Sequence, residues 1–121
     1  MPTFFIPYLP AGLNGPKGLI RAHWRARSKE RDTVAAHVFC ATRCIEKVKP
    51  PVRLIFDRHY CGKHMDPDNC AASAKHVLDA IVKEGILPDD SPDVIGEFTV
   101  KQTRVASRKL IGVRITIEEL R

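Results

Sequence analysis

Residues 109–118, KLIGVRITIE, constrain the fold most. Ile111, Val113, Ile115 and Ile117 alternate there with Gly112, Arg114, Thr116 and Glu118. Period-two alternation puts the four β-branched side chains on one face of a strand. Such a strand needs sheet neighbours and a second layer over its apolar face. VRLIFDRHY (52–60) is rich in β-formers and apolar on both faces around Ile55, which predicts a central strand. TFFIPYL (3–9) predicts another, with Phe4, Ile6 and Tyr8 on one face and Pro7 marking an edge or bulge. DVIGEFTVKQT (93–103) predicts the remaining strand. The basic turn RVASR would join it to the last strand as an antiparallel hairpin.

Two helical patterns lie between these strands. The turn-rich PAGLNGPKG (10–18) is a loop, and Ser28 is the expected cap of the first helix. Val34, Val38, Ala41, Ile45 and Val48 recur at alternating four- and three-residue steps, up to the stop at Pro50-Pro51. Asp66 reads as the N-cap of a second helix, with Pro67 in its first position. That helix is expected to run to about Lys83, bury Ala71, Ala74, Leu78 and Ile81, and stop at Gly85. The order β-α-β-α-β-β predicts an α+β (mixed α/β) fold, a four-stranded mixed sheet with two helices on one face. The 121 residues suit a single domain, 1–121, around one core. No run of about 18 apolar residues exists, so no membrane span is expected. The start, MPTFFIPYLP, lacks the basic region of a signal peptide, which predicts a cytoplasmic protein with four reduced thiols.

The charges are unevenly placed. The chain carries a formal +6, yet seven of its fourteen acids (Asp66, Asp68, Asp79, Glu84, Asp89, Asp90 and Asp93) fall within 66–93. Only Lys75 and Lys83 oppose them there. Two aspartates one residue apart at a strand-to-helix junction can face a common centre. Metal-assisted phosphodiester hydrolysis needs such hard oxygen ligands, and Mg²⁺ takes few of them while keeping several waters. Asp66, Asp68 and one of Asp89-Asp90 would meet that need. The same residues also make good N-cap and turn chemistry. A helix over 67–83 is roughly 25 Å long at about 1.5 Å per residue, so Asp89 and Asp90 start far from Asp66. Either segment 85–90 runs back along the helix, or a dimer partner donates its acidic loop.

The segment DPDNCAASAKHVLDAIVKEGILPDDSPDVI (66–95) resembles the RusA-type Holliday junction resolvases. The matching residues are Asp66, Asp68, Asn69, Lys75, Asp79-Ala80, Gly85 and Asp89-Asp90. PPVRLIFDRHY resembles the family's strand before the motif, and LNGPKGLIRAHWRARSKER its N-terminal basic loop. The resemblance implies a Mg²⁺-dependent endodeoxyribonuclease, with Mn²⁺ as a substitute ion, that cuts four-way DNA junctions as a homodimer. It assigns essential carboxylates to Asp66, Asp68 and Asp90, with Asp89 beside them as a further metal ligand, and a functional lysine to Lys75. One spacing departs from the family. The lysine there follows the second aspartate by four residues, whereas Ala72 holds that place here and Lys75 follows Asp68 by seven.

Lys17, Arg21, Arg25, Arg27, Lys29 and Arg31, with Trp24 among them, are candidate DNA contacts. Their cations suit phosphates, and an indole can stack on an unpaired base. Arg104, Arg108 and Lys109 form a second candidate patch at the expected hairpin tip. His37, Cys40 and Cys44, and also Cys61, His64 and Cys70, are spaced for metal, but no C-x-x-C pair exists and buried, inert thiols are expected. Two other readings stand beside the resolvase. One is a branched-DNA-binding module that does not cut. The other is a nuclease for another branched or single-stranded nucleic acid.

Overall fold

The computed structural model describes residues 2–11 and 24–120. Its strands are β1 (Thr3–Ile6), β2 (Val52–Tyr60), β3 (Ile95–Arg104) and β4 (Gly112–Glu119). Its helices are α1 (Trp24–Ala41), α2 (Pro67–Ser73) and α3 (Lys75–Lys83). The strands form one mixed sheet in the order β1-β4-β2-β3. β4 is antiparallel to both β1 and β2, and β3 is parallel to β2. The α+β class, the four-stranded mixed sheet and the single helical layer agree with the sequence reading.

The pairing of the last two strands differs from it. β3 and β4 are not neighbours and make no hairpin, because β2 lies between them. Burial explains the choice. Val113, Ile115 and Ile117 are fully buried, so β4 needs a neighbour on each side. IGEFTVKQTR is mostly polar and exposed, which suits an edge. Residues 105–111 therefore cross over the end of β2, where Val105 N–H donates to the Tyr60 carbonyl at 2.8 Å.

The inward residues of β1, β2 and β4 pack on Val34 and Val38 of α1 and on Val77, Ala80 and Ile81 of α3. α1 ends seven residues before Val48. Thr42, itself buried, turns its hydroxyl back onto the Val38 carbonyl at 2.7 Å. Ile45 and Val48 still reach the core, but from a loop. Ser28 lies inside α1 rather than capping it, since the helix already begins at Trp24. Gly85 follows α3 with φ +77, as a helix stop requires.

One tie holds the N-terminal segment to α1. Glu30 accepts the Tyr8 hydroxyl through one carboxylate oxygen and the Ala11 N–H, at 2.7 Å, through the other. Burial first, then the Glu30 bond and charge, raise the Tyr8 phenol far above its ordinary pKa. Tyr8→Phe is expected to cost about 1 kcal/mol in urea unfolding at neutral pH. A raised acid pKa in the folded state stabilises below the unfolded value and is lost above it. The gap between wild type and Tyr8→Phe should therefore narrow as pH climbs past about 10, and titrated unfolding curves would show it.

Candidate functional site

β1, β2 and β3 all run in one direction, so their C-terminal ends lie at one end of the sheet. Asp66 and Asp68 are delivered there. The chain leaves β2 at Tyr60 and returns at Met65 into a clamp from β3. Gln102 accepts the Met65 N–H through Oε1 at 3.0 Å and donates to its carbonyl through Nε2 at 2.6 Å. The next residue, Asp66, is the N-cap of α2, and its Oδ2 accepts the Asn69 N–H at 3.4 Å. Pro67 fills the first helical position. Asp66 and Asp68 are both exposed, and neither takes part in an ion pair among the described residues.

The expected single helix over 67–83 is two helices, and a side chain explains the break. Ser73, buried, donates its hydroxyl to the Cys70 carbonyl at 2.6 Å. Ala74 N–H would normally take that carbonyl and instead bonds Ala71 O at 3.1 Å. Lys75 thus opens α3, exposed, with no ion pair to Asp68 or Asp79 among the described residues.

Asp89 and Asp90 are also exposed, but they sit at the opposite end of the sheet. β3 starts beside Val52, and the Ile95 N–H donates to the Ser91 carbonyl at 2.9 Å, which places Asp90 next to that start. From Ile95 to Gln102 the strand spans about 23 Å at roughly 3.3 Å per residue. Segment 85–90 does not run back along the helix, because Val48 N–H holds the Ile86 carbonyl at 3.0 Å below β2. One chain therefore does not bring Asp66 and Asp68 together with Asp89 and Asp90. Among the described residues no three His, Cys, Asp or Glu side chains gather as a metal set.

The basic residues fall at the Asp66 end. Arg104 closes β3, and Arg108 and Lys109 lie on the 3-10 turn of the crossover, not on a hairpin tip. All three are exposed, and Ser107 caps the turn by accepting the Lys109 N–H at 3.2 Å. Arg25, Arg27, Lys29 and Arg31 occupy the first two turns of α1, which Glu30 ties to the segment just after β1. All four are exposed, and Arg31 pairs with Asp32 at 3.5 Å. Trp24 opens α1. Lys17 and Arg21 lie outside the described residues.

A polar cluster at the same end joins Arg104 and His64, both singled out in the sequence, to Tyr60, Arg58 and Gln102, which were not. Tyr60 has the Arg58 and Arg104 guanidiniums over its ring, 5.5 and 5.4 Å from the centroid. His64 Nδ1 lies 3.3 Å from the Tyr60 hydroxyl, and Gln102 Nε2 lies 3.1 Å from His64 Nε2. Arg58 Nη1 donates to Gln102 Oε1 at 3.2 Å. Burial pushes the Arg58 guanidinium below its ordinary pKa, and no carboxylate is among the groups that oppose the shift. The signal was present: Arg58 follows Leu54 and Phe56 at period two on the inward face. The thiols also differ from expectation. Cys70 is buried, but Cys40, Cys44 and Cys61 are free and exposed, since they stand on helix and loop positions turned from the core.

The described helices include none long and apolar enough to cross a membrane. No protein-family model and no curated protein matches the chain.

Proposed function

We propose that this chain is a Mg²⁺-dependent, structure-selective endodeoxyribonuclease that resolves four-way DNA junctions as a homodimer. The observation that carries the reading is the company of Asp66 and Asp68. They are exposed carboxylates, without an ion pair among the described residues, at the sheet end where exposed cations from α1, β3 and the crossover collect. A protein that only gripped DNA would gain nothing from bare carboxylates in its basic face. Two aspartates of one chain fit Mg²⁺, which takes one or two carboxylates plus waters and substrate phosphate. Mg²⁺ bound there would acidify a water and offset charge on the phosphate. Lys75 would add positive charge about two helical turns along from Asp68. The arginines and lysines would hold the sugar-phosphate arms.

The distance between the two aspartate pairs supports the homodimer, in which each site would draw on both subunits. A two-fold axis that sets two sheets side by side and antiparallel would bring the partner subunit's Asp89 and Asp90 to Asp66 and Asp68. It also sets an acidic loop against a basic surface, which favours that arrangement over its reverse.

The same separation favours a second reading, a branched-DNA-binding module that does not cut. Cleavage of a labelled synthetic four-way junction decides between them, comparing Mg²⁺ with EDTA and the junction with a linear duplex and a single strand. Paired symmetrical cuts that need Mg²⁺ and spare the duplex are expected. Binding without cutting, with Mn²⁺ also tried, would leave the binding module. Cutting of the single strand alone would reassign the substrate.

A further inference from the structure

Arg58 is 9 % exposed, and its Nε is buried without a hydrogen-bond partner. Arg104 shares the Tyr60 ring with it. Neither arginine pairs with a carboxylate among the described residues. A guanidinium buried without a carboxylate loses hydration, a cost that an anion beside it removes. The surroundings are built rather than incidental. Met65 fixes the orientation of the Gln102 amide, because its N–H must meet Oε1 and its carbonyl must meet Nε2. The second Nε2 hydrogen then points to His64 Nε2, which leaves the His64 proton on Nδ1, facing the Tyr60 oxygen. Tyr60, 7 % exposed, accepts that proton's hydrogen bond and keeps its own hydroxyl hydrogen free to donate.

The geometry points to a phosphoryl-anion seat formed by Arg58, Arg104 and the Tyr60 hydroxyl, at the sheet end that carries the Asp66 cap. Planar guanidiniums match phosphate oxygens in pairs, and the phenol supplies a third donor. On the nuclease reading, on which this assignment to DNA rests, the seat holds a phosphodiester of the bound strand beside Asp66 and Asp68. Gln102 and His64 act as positioning residues. The position of Arg58 costs stability when the seat is empty, as functional sites often do.

The test uses the full chain, isotopically labelled at arginine nitrogens, in EDTA. Inorganic phosphate is titrated in one arm and a short linear DNA duplex in the other. The Nε–H signals of Arg58 and Arg104 should shift saturably in both arms. A response to phosphate but not to DNA would keep the seat and assign it to a free phosphate. Shifts confined to Arg25, Arg27 and Arg108, or no shift at Arg58 in either arm, would overturn it. Arg58→Met adds a second readout: duplex affinity in EDTA should fall about tenfold while the Tm stays level or rises. A lower Tm with unchanged affinity would make Arg58 a structural residue. None of these measurements involves cleavage, so an inactive protein with a responsive Arg58 would sink the nuclease reading and leave the seat.

Discussion

Mixing two inactive variants should restore cutting. Asp68→Asn alone and Asp90→Asn alone are each expected to lower junction cleavage about 100-fold or more, the scale on which groups that stabilise transition-state charge act. If each site joins Asp66 and Asp68 of one subunit to the partner subunit's Asp90, a heterodimer of the two variants has one doubly altered site and one intact site. Statistical exchange then returns about a quarter of wild-type strand cleavage, as nicks rather than paired cuts, because a two-fold dimer keeps only one good site. Co-expression with two different tags isolates the heterodimer. Were the sites complete within each chain, both would be dead and no nicking would return. The experiment thus reads the separation of the two aspartate pairs directly as a question of which subunit supplies which carboxylate.

Gly112→Ala should be the most damaging single substitution by a methyl group. A Cβ at Gly112 would lie 2.3 Å from the Ile6 carbonyl oxygen and 2.4 Å from the Phe5 ring. The Phe5 ring can turn away, but the carbonyl belongs to β1 and moves only if the β1–β4 pairing yields. Gly112 also has φ +153, which side chains disfavour. Overpacking and backbone strain together should cost about 3 kcal/mol or more, lowering the Tm by about 10 °C. Gly96→Ala is the control. Its Cβ would meet only the flexible end of Leu120, at 3.2 Å, before ordinary contacts. Its cost should stay below about 1 kcal/mol by urea unfolding. Equal losses at the two glycines would contradict the steric account.

Much of the fold was legible because its signals are local. The alternation in β4, the β-formers of β2 and the Asp66-Pro67 cap each depend on neighbouring residues, and each stands where expected. The misses are non-local. Which strand flanks which is decided by how much each can leave exposed, so a hairpin between β3 and β4 looked natural until β4 was seen to be flanked by β1 and β2. The helix break depends on one hydroxyl, Ser73, choosing a carbonyl that a helix would have used. The candidate site was legible as residue types, since Asp66, Asp68, Asp89 and Asp90 stand out by charge. Their placement was not, because it follows from β3 being parallel to β2. Arg58 was overlooked because a cation on an inward face reads as an exception in a strand and not as a feature.

The sheet order also governs when the protein can form. β1 is the first strand of the chain, yet its sheet neighbour is β4, the last, with Thr3 opposite Thr116. β2 likewise lacks its second neighbour until residues 112–119 exist. A growing chain on the ribosome therefore has its βαβ half, from Val52 to Arg104, with two open edges and β1 still without a partner strand. Assembly must wait for the final strand to slide between β1 and β2, a closure across nearly the whole chain that sets a slow step.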